Sequence, residues 1–136
     1  MDAFVQPLYE LADFDAIIRQ LKKPGIVQVS GCLDSQKAHF TNGLLREFPF
    51  RLIVAENDLK AKAFYEDFRL YDPEVLYYPA RDLIFYQADI HGNLLTRQRI
   101  QVLRALLERE EVTIVTSIDS CLDCLCLLYT SDAADE

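Results

Sequence analysis

The 136-residue chain has no tryptophan, one methionine, four glycines, five prolines and two histidines. So little glycine and proline excludes a collagen-like or low-complexity chain. Basic residues are also scarce: 14 Lys and Arg stand against 22 Asp and Glu, for a net charge of −8. That balance argues against broad affinity for a nucleic-acid backbone, which needs a cationic face to neutralise phosphates. No apolar run reaches the ~18 residues of a membrane span, so no membrane partner is expected. Met1-Asp2-Ala3-Phe4 has neither the basic start nor the apolar stretch of a secretory signal. Four cysteines without such a signal indicate reduced thiols and a cytoplasmic protein. Cys121-x-x-Cys124 has no histidine pair to complete a zinc set, since His39 and His91 lie apart, so it reads as small apolar residues on a helix.

What the chain does have is 51% hydrophobic residues and 26% charged ones, enough to bury the core of one domain. Apolar positions recur at helical spacing from Leu8 through Leu11, Phe14, Ile17 and Ile18 to Leu21, ahead of Pro24-Gly25. Ile26–Ser30 reads as a strand, and a helix is expected from about Ser35 to Phe48, broken by Pro49. Leu52–Ala55 is a short apolar run of the kind buried on both faces. Asn57 or Asp58 can cap a helix that turns Leu59, Ala63, Phe64 and Phe68 inward. Val75–Tyr78 is a third strand, and residues 80–93 look irregular. Thr96–Glu110 is the strongest helix, with Ile100, Leu103, Leu106 and Leu107 on one stripe. Val112–Thr116 is a fourth strand, and Ser117 caps a helix through Leu125. Strands alternating with helices predict an α/β fold, a parallel sheet of about four strands with helices on both faces.

Between the first strand and the second helix lies Gly31-Cys32-Leu33-Asp34-Ser35-Gln36-Lys37-Ala38, in the position of a phosphate-binding loop. A working loop reads G-x-x-x-x-G-K-[ST]: the second glycine lets backbone N–H groups wrap the phosphates, the lysine neutralises them, and the hydroxyl holds Mg²⁺. Gly31 and Lys37 keep two of these parts. Gln36 replaces the flexible glycine, Ala38 replaces the hydroxyl, and Asp34 sets a carboxylate beside the anion cradle. Thr116-Ser117-Ile118-Asp119 after the last strand supplies no acid in the position that would hold the metal. These residues predict a degenerate P-loop, a nucleotide-binding fold that has lost its nucleotide, with no catalytic residue, no metal site and no bound cofactor.

Other chemistry-bearing residues read as structural. Asp67, Asp82 and Asp89 are not paired at any defined spacing, and His91 before Gly92 is a turn histidine. Tyr77, Tyr78, Phe85 and Tyr86 could stack bases, but two lie in a strand with one buried face, so packing is expected. Arg97, Arg99 and Arg104 read as a solvated helix face, partly neutralised by Glu108, Glu110 and Glu111.

Three stretches carry a family resemblance: the degenerate loop followed by Arg51–Ala55 and a helix ending Phe64-Tyr65-Glu66-Asp67-Phe68; Tyr78-Pro79-Ala80-Arg81-Asp82 running to Tyr86; and Leu95-Thr96-Arg97-Gln98-Arg99 leading to Val112–Ser117. Over residues 1–125 the chain resembles the N-terminal, excinuclease-B-like region of the bacterial transcription-repair coupling factor. The resemblance implies a parent that is an ATP-dependent DNA translocase, using ATP and Mg, which displaces stalled RNA polymerase and recruits the excinuclease in nucleotide excision repair. It implies that excinuclease A, RNA polymerase and DNA are met through downstream domains, and that this segment is a scaffold for other domains of the same protein. The alternative it leaves open is the ATP-binding domain of an excinuclease-B-like repair helicase. Residues 126–136 (Cys-Leu-Leu-Tyr-Thr-Ser-Asp-Ala-Ala-Asp-Glu) resemble a translated sequencing-library adapter. They are expected to be a non-native tail on a truncated chain; without Asp132, Asp135 and Glu136 the net charge moves from −8 to −5.

Overall fold

The computed structural model describes residues 4–80 and 89–122, with side chains in the second stretch described from Leu94 onward. The chain is mixed α/β. A 3₁₀ turn at Gln6–Glu10 leads to α1 (Phe14–Leu21) and α2 (Asp34–Leu45). Then come β1 (Phe50–Ala55), α3 (Asp58–Phe68), β2 (Leu76–Tyr78), α4 (Asp89–Glu108) and β3 (Val112–Ser117). A helical turn follows over residues 118–122. The apolar tail and the other readings on residues 81–88 and 123–136 lie outside the described residues.

The sheet has three parallel strands in the order β1-β3-β2. β3 pairs with β1 from Phe50↔Val112 to Ala55↔Ser117 and with β2 from Leu76↔Ile114 to Tyr78↔Thr116. The central strand is buried along its whole length, as expected of a strand covered on both faces. On one face Val115 packs with Ile53, Ala55, Ala38 of α2 and Ala61 and Phe68 of α3. On the other, Val112 and Ile114 pack with Leu76, Tyr78, Val102 and Ala105 beneath α4. A separate cluster of Val5, Leu8, Phe14, Ile18 and Leu44 joins the N-terminal segment to α2. There Gly43 admits the close approach, since a Cβ would sit 2.4 Å from Leu8 Cδ1 and 3.0 Å from Phe14 Cζ.

Five expectations are corrected. Leu52–Ala55 does lie in a strand, β1, but that strand is not buried on both faces: Leu52 and Val54 are exposed on the α4 side, where no helix among the described residues covers β1. Ile26–Ser30 is not a strand; it runs as irregular backbone with Ile26 95% exposed, so the sheet has three strands and not four. The amphipathic N-terminal stretch is split at Leu11–Asp13, with the 3₁₀ turn before it and α1 after. In α3, Leu59 and Ala63 point outward; only Ala61 and Phe68 are fully buried, with Phe64 partly so. In α4, which starts at Asp89 and not Thr96, the buried residues are Arg99, Val102 and Ala105. The leucine stripe Ile100, Leu103, Leu106 and Leu107 instead lies outside the core. α4 covers β2 and β3 through Val102 and Ala105, which leaves Leu103 and Leu106 bordering β1 and Ile100 and Leu107 facing away from the sheet.

Candidate functional site

Parallel sheets carry their ligands outside the carboxyl ends of the strands, and two polar constellations stand at that end here. The first contains the degenerate loop. Gly31 has φ +88°, the left-handed region that glycine adopts without strain. Leu33 is the extended residue before α2. Its side chain cannot accept a hydrogen bond; instead Gln36 Oε1 reaches back to accept from the Leu33 N–H at 3.3 Å. Gln36 therefore closes the start of α2 with its own side chain.

Asp34 and Lys37, one helical turn apart, form an ion pair of 2.6 Å. The Lys37 hydrogen bond, then the Lys37 charge, holds the Asp34 carboxyl below its ordinary range, with a smaller contribution from Lys60. Asp34 also meets the partial positive charge of the helix N-terminus, the charge that would otherwise attract phosphate. Lys60 pairs with Glu56 four residues earlier, and that hydrogen bond and charge raise the Lys60 ammonium while lowering the Glu56 carboxyl. Both lysines open on one cleft of ≈ 510 Å³, lined also by Ala55, Phe64 and Asp67. All four partners are exposed, so solvent screens both pairs, and they bias the cleft against anions without sealing it. Ala38 is 2% exposed, belongs to the core cluster of Ala61, Phe68, Val75 and Val115, and is not among the residues that line the cleft of Lys37.

The second constellation joins the strand ends. Asp58 Oδ1 accepts from the Ala80 N–H at 3.2 Å and from Ser117 Oγ at 3.4 Å. Ser117 Oγ lies 2.8 Å from Ser120 Oγ and accepts the Ser120 N–H at 3.2 Å. Tyr77 donates to the Asp58 carbonyl at 3.4 Å, and burial, reinforced by Asp58, pushes its phenol well up. Arg99 donates to the Pro79 carbonyl at 3.0 Å with its guanidinium 4.4 Å above the Tyr78 ring. Ser117 and Ser120 are fully buried, and through Asp58 this serine pair ties the end of β3 to the start of α3. The reading of Arg99 as part of a solvated face is thereby corrected; Arg104, exposed and 2.8 Å from Glu108, does fit that face. Arg99 is set on the helix side that packs against β2, a placement its own residue type argues against.

The remaining candidates do not converge. His39 bonds the Phe4 carbonyl through Nε2 and stacks on Tyr71 with centroids 5.4 Å apart. Tyr78 is buried and Tyr77 half-buried, as packing residues. Cys32 and Cys121 are free thiols far apart in sequence, and Cys124 lies outside the described residues. Asp82, Phe85 and Tyr86 lie outside them too, as do the side chains of Asp89 and His91. Among the described residues no three His, Cys, Asp or Glu side chains group to hold a metal ion. Nor, among the described residues, is any helix long and apolar enough to cross a membrane.

No protein-family model, curated protein or solved structure matches the chain.

Proposed function

We propose that this chain is the N-terminal, excinuclease-B-like domain of a transcription-repair coupling factor: a degenerate P-loop, helicase-like domain serving as a cytoplasmic, non-catalytic scaffold. The observation that carries the reading is the burial of Ala38. At the position where a P-loop sets a magnesium-binding hydroxyl, this chain buries a methyl group in the core cluster that also holds Phe68. A loop whose metal position belongs to the core, whose glycine position is Gln36 and whose lysine is paired to Asp34 supports loss of nucleotide binding. The Asp58–Ser117–Ser120 tie adds rigidity at the strand ends where a motor would need movement.

On this reading ATP and Mg act in the parent translocase, and DNA, RNA polymerase and excinuclease A are met by its other domains. The natural gene, read past the codon for Leu125, is expected to continue in frame to helicase motor motifs. A stop codon within a few residues of Leu125 in genomic DNA would contradict the proposal and leave a self-contained interaction module.

A further inference from the structure

The sheet face beneath α4 is bare where β1 forms it. Leu52 and Val54 point to that face, level with Ile114 and Thr116 of β3. The β3 residues are buried, but Leu52 and Val54 are 62% and 47% exposed. With Phe50 they make a row of three exposed apolar side chains. The helical turn over residues 118–122, which leaves β3, starts beside this row. Its Cys121 lines an apolar groove of ≈ 180 Å³ together with Leu52 of β1 and Leu103 and Leu106 of α4. The turn also shows which of its sides faces in: Ser120 is fully buried and Cys121 half-buried, whereas Ile118, Asp119 and Leu122 are exposed.

We propose that the helix begun at Ile118 runs on through Leu125 and lies across the open face of β1, alongside α4. The sequence continues the inward side of the turn. Cys124 follows Cys121 by three residues and Ser120 by four, Leu125 follows Cys121 by four, and Asp119 and Asp123 fall opposite. Eight helical residues span ~12 Å, close to the ~13 Å of strand from Phe50 to Val54. A helix leaving the carboxyl end of β3 runs back down the strands, so the two lengths lie side by side. The hand of the fold agrees. The step from β1 to β2 carries α3 on one face, and the step back from β2 to β3 carries α4 on the other, as connections of one hand require. A segment that leaves β3 further toward β1 therefore belongs on the α4 face. There α4 already covers β2 and β3, and β1 is the place left. On this placement Cys121-x-x-Cys124 is a packing seam, its small side chains letting the helix approach the sheet.

Iodoacetamide labelling of Leu52→Cys in the reduced, full 136-residue chain, read by peptide mass spectrometry, tests this. The new thiol is expected to react at least about tenfold more slowly than that of Leu59→Cys, a position 81% exposed on α3 across the sheet. Adding Cys124→Asp sets a charge on the covering side of the helix. It is expected to bring the Leu52→Cys rate to within about twofold of the Leu59→Cys rate, with circular dichroism showing the fold intact. Equal rates in the two single variants would mean an open face and overturn the proposal. Protection that survives Cys124→Asp overturns it too, as does protection that fades on roughly tenfold dilution, which would belong to a second copy.

Discussion

Phe68→Ala is expected to lower the unfolding free energy by about 3–5 kcal/mol, read from urea denaturation. Phe68 is the last residue of α3 and is fully buried. It packs in the cluster of Ala38 from α2, Ala61 from α3, Val75 before β2 and Val115 from the central strand. Phe64 stacks on it with centroids 5.6 Å apart. Its removal opens a cavity where two helices meet the sheet, and neighbours as small as two alanines cannot collapse to fill it. Against a total stability of about 5–15 kcal/mol for a domain, that loss is a large share of what holds the fold. Leu59→Ala on the same helix, exposed, is expected to stay within roughly 0.5 kcal/mol. A loss below about 1 kcal/mol in Phe68→Ala would mean that α2 and α3 do not share this core.

Ala38→Thr restores the residue type of a working phosphate loop and is expected to destabilise the protein by about 1–3 kcal/mol. The two added heavy atoms point at Ala61, Phe68, Val75 and Val115, in a site 2% exposed. The new hydroxyl can turn back to the Asp34 carbonyl one turn earlier, so overpacking and not an unmade hydrogen bond is the main loss. Thermal melts with and without Mg²⁺ separate the two ideas of this position. If Ala38 belongs to the core, the variant melts lower and magnesium does not rescue it. If the position faces a metal site, magnesium and a nucleotide would raise the melting point of the variant above that of the parent chain.

Part of this was legible in the residues. Val112–Thr116 reads as a strand from its β-branched run, and β3 is that strand; burial on both faces is expected of Leu52–Ala55 and belongs to β3 instead, because β3 is central and β1 is an edge. Asn57 is read as a cap, and its side chain accepts the Lys60 N–H at 2.9 Å. Ser117 is read as a cap, and its hydroxyl accepts the Ser120 N–H. Both are local rules, satisfied within one helical turn.

What was not legible depends on neighbours. Ile26-Val27-Gln28-Val29 has the composition of a strand, but a strand also needs an edge to pair with, and among the described residues none lies beside it. The leucine stripe of α4 marks an apolar side correctly and the wrong buried side, because the register of α4 over β2 and β3 is set by small and flat contacts: Val102, Ala105 and the Arg99 guanidinium over Tyr78. At residues 31–38 the sequence shows how the residues differ from a phosphate-loop pattern, and only the fold shows that Ala38 is part of the core.

Calorimetric titration of the full chain with Mg–ATP tests the loss of nucleotide binding most directly. No saturable heat is expected up to about 1 mM nucleotide, with the same blank result for Lys37→Ala. Binding at micromolar concentration that disappears in Lys37→Ala would show that the cleft beside Asp34 and Lys60 holds a triphosphate after all, and would contradict the scaffold account.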